Sequence, residues 1–579
     1  MTEKEGMKYL VAIETQKVKS YLFASPFMRE TRGASVLLDF LNRKEIKEKI
    51  LINFPDDIYE EIYLGGGTGR ILFKDEIHSQ QFRKQVHDLY RKATTNAKIS
   101  VEWVERKNGE NFGSLISRVV NETRKNKTGR MQGVPILAGR WLQPCTSCGQ
   151  EPACDVFQEH GEHRLCRSCQ QKRIQVNYLY RNIKPSHSGY KTLKSADYLQ
   201  KTYSEEFIFT TLARYNEKAG YLTLLPQDFD DIGCESKPSN YMGFIYADGN
   251  RMGEFVKKIG ADHTSDTAQK KSLRAFSEIV DRATREAAVE AVLECIEIKE
   301  EQTEDGLARR IPAEFIMAGG DDFMLALPAH NVLDVAVRFL ELFQQKTVKL
   351  QQEYIKDFKL PLSFAPRGLT SSAGVVLAHA HYPVSDLMSI AADLMKLAKQ
   401  KSADLANRDA SGDKNGEITG TLDFMVISES SSETIKQRRQ KEYEPGTTQT
   451  GDKIRLTERP YTTSEAACFL NTIRKLKEGK TPRTKLKALY AALFQPPLLA
   501  QYEALRLRER LASSGASGNN TTLHSLLYNH LDRFPYRIDE KKEWTTPLTE
   551  IVELYDFIHP LPCKEIVTKI SPAEEGSHD

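Results

Sequence analysis

Two apolar runs, Phe315-Ile316-Met317-Ala318 and Phe323-Met324-Leu325-Ala326-Leu327, flank Gly319-Gly320-Asp321-Asp322 and mark the middle of this 579-residue chain as a β-hairpin with a glycine turn. The glycines permit backbone angles that other residues resist. Adjacent carboxylates at a turn repel each other and destabilise it unless a cation sits between them. Mg2+ (or Mn2+) suits that place, because it favours carboxylate oxygens together with phosphate oxygens. A solvated acidic turn is the plain alternative, and on this tetrapeptide alone the two readings weigh about evenly.

A third acid shifts the balance. Gly243-Phe244-Ile245-Tyr246-Ala247 reads as a buried strand ending at Asp248-Gly249-Asn250, ahead of the helical spacing of Met252, Phe255, Val256 and Ile259. A strand-end aspartate beside a hairpin pair is the geometry that two-metal nucleotidyl transfer requires, with ions roughly 3.5–4 Å apart. Asp248, Asp321 and Asp322 are therefore the candidate catalytic and magnesium-binding residues. A long helical pattern over 273–296, the hairpin, a further helix, the strand Ala373–Ala378 and the helix carrying Leu387, Ile390, Ala391, Leu394, Leu397 and Ala398 complete the order βααββαβ. That order is the outline of a ferredoxin-like polymerase palm. Gly249, Asn250, Gly319 and Gly320 around the acids are candidate nucleotide-binding residues. Lys396 and Lys399, near the end of the last helix, are within reach of a triphosphate, although a solvated helix face explains them slightly better.

The first part of the chain repeats the pattern. Leu64-Gly65-Gly66-Gly67-Thr68 lies over Ala318-Gly319-Gly320-Asp321-Asp322, so the hairpin acids become Gly67 and Thr68; the other metal position offers Glu14 or Thr15. Without carboxylates this copy cannot hold two magnesium ions. Gly65 and Gly66 still let backbone N–H groups approach a phosphate, which makes the copy a substrate-holding partner or a structural repeat.

Cys145-Thr146-Ser147-Cys148 and Cys166-Arg167-Ser168-Cys169 are two C-x2-C knuckles at the spacing of a structural zinc site. Four cysteines close a tetrahedron and leave no position for substrate. Cys154, His160 and His163 between them are substitutes of lower rank. Nine cysteines, five of them within this insert, fit a reducing compartment better than a disulfide framework. A net charge of +3 with 28% charged residues demands no nucleic-acid partner by itself. No apolar run is long enough for a membrane span, and the first residues lack a signal peptide; the expected location is the cytoplasm. Phe207-Ile208-Phe209 reads as a short strand, 227–240 as a linker, and 300–306 as an acidic surface loop. From Ser428 onward the chain is helix-rich over 464–476, 485–494 and 498–511. The basic cluster Arg474, Lys475, Lys477, Lys480, Arg483, Lys485 and Lys487 suits either an RNA backbone or plain solvation.

Tyr246-Ala247-Asp248-Gly249-Asn250-Arg251-Met252-Gly253 followed by Ala318-Gly319-Gly320-Asp321-Asp322 resembles the large palm-polymerase subunit of type III CRISPR effector complexes, of a III-B-like kind. The resemblance covers nearly the whole chain. It implies an α+β fold of two ferredoxin-like polymerase palm domains, a four-cysteine zinc insert and a C-terminal helical domain. The corresponding boundaries are 1–135, 136–235, 236–430 and 431–579. It implies conversion of ATP into a second messenger once guide RNA has paired with target RNA. The product would be a cyclic oligoadenylate or an AMP conjugate formed with S-adenosylmethionine, and the other subunits of the complex would be partners. Relatives often carry an HD nuclease domain ahead of the first palm; here the first strand begins within ten residues, and His87-Asp88 falls in a helical pattern without further ligands, so no DNase activity is expected. Two other classes compete: a GGDEF-type cyclic-dinucleotide cyclase, disfavoured by the second palm copy and the knuckles, and a non-catalytic RNA-binding scaffold, disfavoured by the intact acids.

Overall fold

The computed structural model describes residues 6–129, 141–158, 162–181, 189–262, 265–358, 365–410, 418–427, 433–444, 446–448, 451–479, 481–513, 536–538 and 543–560. His160 and Lys480 lie outside them. The first unit runs β1 (Tyr9–Gln16), α1 (Val18–Leu22), α2 (Met28–Phe40), a π-helical stretch Leu41–Ile50, β2 (Tyr59–Gly65), β3 (Thr68–Phe73), α3 (Glu76–Thr94) and β4 (Lys98–Glu105), followed by α4 (Phe112–Gly129). Its sheet has the order β2-β3-β1-β4, with every pairing antiparallel. This is the ferredoxin-like order expected of a palm. Alternation along β1 sends Val11 and Ile13 to one core and Leu10 and Ala12, under α4, to another.

The insert follows with β5 (Asp155–Gln158), β6 (Glu162–Leu165) and α5 (Arg167–Asn177), then β7 (Tyr190–Thr192), α6 (Ala196–Thr202), α7 (Ile208–Lys218), β8 (Leu222–Pro226) and α8 (Phe229–Cys234). Two sequence expectations are corrected here. Phe207-Ile208-Phe209 opens a helix, because the buried face continues at helical spacing through Leu212, Ala213 and Asn216. The stretch 227–240 is no bare linker: Asp228 and Asp231 form a reciprocal capping box that starts α8.

The second palm comprises β9 (Tyr241–Gly249), α9 (Met252–Asp262), α10 (Asp266–Cys295), β10 (Lys299–Thr303), β11 (Gly306–Arg310), β12 (Glu314–Gly319), β13 (Asp322–Pro328), α11 (Val332–Phe358), β14 (Ser371–His379), α12 (Val384–Ala410) and β15 (Thr421–Val426). Residues 300–306 are therefore a strand and turn and not a loop: β10 pairs with β11, and Glu300 and Glu301 bind Arg309 and Arg310 across the hairpin. The main sheet has the order β12-β13-β9-β14-β15, extended at its edge by the downstream strand β18 (Tyr461–Thr462), and repeats the ferredoxin-like order of the first palm. One face, with Ile245, Ala247, Phe323 and Leu325, is covered by α10 and α11. The other, with Phe244, Tyr246, Met324 and Ala326, shares a core with α12 and with Val11, Ile13, Tyr21 and Leu22 of the first palm.

Downstream come α13 (Ile435–Tyr443), β16 (Gly446–Thr447), β17 (Lys453–Arg455), β18 (Tyr461–Thr462), α14 (Thr463–Glu478), α15 (Arg483–Leu493), α16 (Pro497–Ser513), β19 (Arg537–Ile538), β20 (Trp544–Thr545) and α17 (Leu548–Leu554). This region is helix-rich, with a small sheet of order β16-β17-β20-β19. Among the described residues, no helix is long and apolar enough to cross a membrane.

Candidate active site

The site is built from two copies of one hairpin. In the second palm Gly319 pairs with Asp322, and in the first Gly65 pairs with Thr68; both ladders shift register at the equivalent place, between Phe315 and Met317 and between Glu61 and Tyr63. A bulge kept at the same position in both copies ties the repeat together residue by residue. It makes Gly67 the counterpart of Asp321 and Thr68 that of Asp322. The ladders to the neighbouring strand settle the remaining position: Phe323 faces Ala247, so the next rung sets Asp322 against Asp248, while Thr68 faces Glu14. Glu14, and not Thr15, is the counterpart of Asp248. Thr15 instead joins a buried hydrogen-bonded triad with Asn42 and Tyr90.

The turns differ in kind. Of the two central residues in the second palm only Gly320 has a positive φ, +62°, the pattern of a type II′ turn. In the first palm Gly66 and Gly67 are both positive, at +58° and +78°, the pattern of type I′. An aspartate at position 67 would be strained there, so the loss of the acid goes with a change in turn class.

The structure brings Asp248, Asp321 and Asp322 together. A methyl group placed on Gly249 would lie 2.9 Å from the Asp321 Cβ. Tyr246 Oη donates to Asp322 Oδ1 at 3.0 Å. Lys399 Nζ donates to Asp248 Oδ2 at 2.5 Å and to the Gly249 carbonyl at 2.8 Å. Burial, reinforced by the charges of Asp248 and Asp322, pushes the Asp321 carboxyl up to about 8; burial and Asp248 push Asp322 up to about 6. Three hard oxygen donors, with the proton affinity of Asp321 and Asp322 raised by burial and neighbouring charge, form a donor set suited to Mg2+ or Mn2+. The carboxylates are not drawn to one point: among the described residues only the four cysteines form a group of three or more candidate ligands whose atoms all lie within 4.8 Å. Acids that share two ions do not need to converge on a single centre.

The other predicted residues divide. Lys399 is in the site, whereas Lys396 pairs with Asp393 on the exposed face of α12. Asn250 is buried; its amide donates to Thr370 Oγ1 and its oxygen accepts from Ser372, so the side chain ties β9 to its neighbours. Gly65 and Gly66 line an open cavity together with Gly320, Arg43 and Arg285. Gly66 lies against the Gly320 backbone, where an added Cβ would stand 2.9 Å from the Gly320 nitrogen, and Gly65 lies against the Arg43 guanidinium. His87 and Asp88 sit on α3, with Asp88 paired to Arg91.

Lys19 was not anticipated from the sequence. It projects from α1 of the first palm, with its ammonium 4.0 Å from the centre of the Tyr246 ring. Burial lowers its pKa, opposed by the charges of Asp322 and Asp248. Its only sequence signal is its place just after β1, in the copy that has lost its acids.

The four predicted zinc ligands also meet. Cys145, Cys148, Cys166 and Cys169 offer sulfurs all within 4.8 Å of one another, with Cys148 and Cys166 3.9 Å apart. The edge of a tetrahedron with Zn–S bonds near 2.3 Å is about 3.8 Å. Cys154 is not in this group; its thiol points to the Leu165 carbonyl. The knuckle rests on α2. Arg173 of α5 binds the fully buried Glu30 at 2.7 Å, Ser147 donates to Glu30 at 2.9 Å, and Ser25 meets Ser147 at 2.7 Å. Gly33 permits this approach, since a Cβ there would lie 1.9 Å from the Lys172 carbonyl oxygen.

No curated protein matches the chain in sequence. Three solved structures similar to it are a Csm1–Csm4 cassette in complex with one ATP (13% identity, TM-score 0.49, 96% of this chain and 71% of that one), Csm1 from T. onnurineus (14%, 0.48, 96% and 70%) and a Csm1–Csm4 cassette in complex with cA4 (13%, 0.46, 98% and 70%). Residues 241–410, which run from the start of β9 to the end of α12 and hold all three aspartates, match the family model of the Cas10/Cmr2 second palm domain.

Proposed function

We propose that this protein is the target-RNA-activated nucleotidyltransferase subunit of a type III CRISPR antiviral complex, making a second messenger from ATP. The observation that carries the reading is the grouping of Asp248, Asp321 and Asp322 at one hairpin tip, bordered by Lys399 and Lys19. The domain division 1–135, 136–235, 236–430 and 431–579 belongs to the same proposal, as do cytoplasmic location and partnership with guide RNA, target RNA and other subunits.

The three aspartates would hold two Mg2+ or Mn2+ ions, which when bound supply charge neutralisation at phosphate oxygens. The ribose 3′-oxygen of one ATP attacks the α-phosphate of another; the new 3′-O–P bond forms as the bond to pyrophosphate breaks. Tyr246 stays protonated, because burial and the Asp322 charge hold its pKa well above the ordinary range, and its O–H fixes the Asp322 carboxylate. Lys399 and Lys19 place positive charge beside the acids, where it can meet a triphosphate. The test is to incubate the purified complex with cognate target RNA, ATP and Mg2+, with and without S-adenosylmethionine, and to identify products by mass. Cyclic oligoadenylate or an AMP conjugate that appears only with target RNA is the expected result. Absence of any ATP-derived product under all these conditions overturns the proposal.

Lys19→Met and Lys399→Met are each expected to lower kcat/KM for ATP by about tenfold or more, as loss of a charge-assisted phosphate contact does. Steady-state kinetics with either variant at the wild-type value would remove that residue from the site.

Metal binding must displace protons from Asp321 and Asp322, which titrate near 8 and near 6. Apparent Mn2+ affinity, followed by electron paramagnetic resonance, is therefore expected to weaken as pH falls from 8.5 to 6, by about tenfold per unit while one proton is displaced. A flat profile over that range contradicts the assignment of these carboxylates as ligands.

A further inference from the structure

The first palm reaches the turn of the second through a chain of buried contacts. Arg43, at the start of the π-helical stretch, donates from Nε to Asp39 at 2.7 Å and from Nη2 to Asp281 of α10 at 2.6 Å. Asp281 Oδ1 also accepts the Gly320 N–H at 2.9 Å, and Oδ2 accepts from Arg285 at 3.1 Å. One turn further along α10, the Thr284 hydroxyl lies 2.7 Å from the Gly320 carbonyl oxygen and 2.9 Å from that of Val280, so a single proton serves both. Both polar groups of Gly320 are thus held by one helix. On either side of the Arg43 guanidinium lie Gly65 and Gly319, the equivalent glycines of the two hairpins. Arg43, Asp281, Thr284 and Arg285 are all buried.

We infer that Arg43, Asp281 and Thr284 are positioning residues for the catalytic turn: the first palm, stripped of its own acids, supplies the arginine that locks the Gly320 peptide and so aims Asp321 and Asp322. The inference rests on the catalytic reading of those two aspartates. Stability alone gives little reason for such a network. A buried ion pair roughly breaks even against apolar packing of the same volume, but it fixes relative position. Here it ends on the Gly320 N–H, one residue before Asp321, and a π-helical stretch, often found at functional sites, presents Arg43.

The full-length protein decides the matter through Thr284→Val and Arg43→Lys. The first removes the grip on the Gly320 carbonyl without touching a charge. The second keeps a cation against Asp281 but loses the fork that spans Asp39 and Asp281. In metal-free protein, hydrogen exchange of the segment 315–323 is expected to quicken by about tenfold or more while that of 241–249 stays unchanged. With ATP, kcat is expected to fall on the order of a hundredfold with KM within about twofold, the mark of misplaced catalytic groups. Wild-type exchange at the turn in Thr284→Val, or faster exchange with undiminished kcat, overturns the inference; Thr284→Val decides alone if Arg43→Lys does not fold. Failure of the catalytic reading shows elsewhere, as activity surviving loss of Asp321 and Asp322, and leaves the exchange result to judge the grip.

Discussion

Asp321→Asn combined with Asp322→Asn is expected to abolish product formation, by at least about a thousandfold, while the metal-free protein becomes more stable. The loss follows from removing two of three carboxylates that nothing else in the site replaces. The gain follows from their proton affinities. Burial and the neighbouring charges hold both carboxyls above the ordinary 3.8, at about 8 and about 6. The folded chain thus retains protons that the unfolded chain gives up. Their stabilising contribution is complete below pH 4 and is lost as pH rises through 6 and then 8. Near neutral pH the fold must hold Asp321 protonated and Asp322 ionised in a buried site, which destabilises it, and neutral amides of the same shape relieve this by about 1–3 kcal/mol. Thermal unfolding in chelator, beside product analysis by mass, checks both halves. Retained activity would move the chemistry elsewhere, and a lowered midpoint would mean that these acids support the fold and do not strain it.

Stripping zinc, by chelation or by Cys166→Ser, is expected to give the largest loss of stability available to a small change. Structural four-cysteine sites hold metal with an apparent ~10–16 kcal/mol, which a small insert cannot recover from its own core. That core consists of little beyond the cysteines, Leu165 and Phe157. Loss of the metal would also free the surface that covers Glu30, Ser147 and Arg173, and leave the fully buried Glu30 without its partners. The thermal midpoint should fall by more than about 10 °C, and new proteolytic cuts should appear between residues 145 and 177. One zinc per chain in the native protein, measured by elemental analysis, is the companion result. A protein free of zinc with an unchanged midpoint would refute the site.

The parts of this molecule visible in its sequence are those governed by local rules. Apolar alternation and paired glycines announced both hairpins, the strand-end position of Asp248 put it beside Asp321 and Asp322, and the cysteine spacing gathered four sulfurs. The run 207–209 misled because three apolar residues suit a strand or a helix, and only the later spacing of Leu212, Ala213 and Asn216 decides. The acids at 300–301 looked solvated because their partners, Arg309 and Arg310, are fixed by a strand pairing that charge alone does not reveal. Lys19, Arg43 and Asp281 were illegible for a deeper reason. Each gains its meaning from a group more than two hundred residues away along the chain, such as Asp281 for Arg43, and no periodicity reports which face of one palm meets the other.

Arg32 of α2 and Glu314 of β12 are both shut away from water, and they form an ion pair that joins the two halves. Pulling such partners apart without rehydrating them costs about 3–5 kcal/mol. Sliding one half past the other would strand opposite charges in an apolar medium. Hinge-like opening between the halves at this point is therefore costlier than shifts of turns and side chains that leave the pair intact.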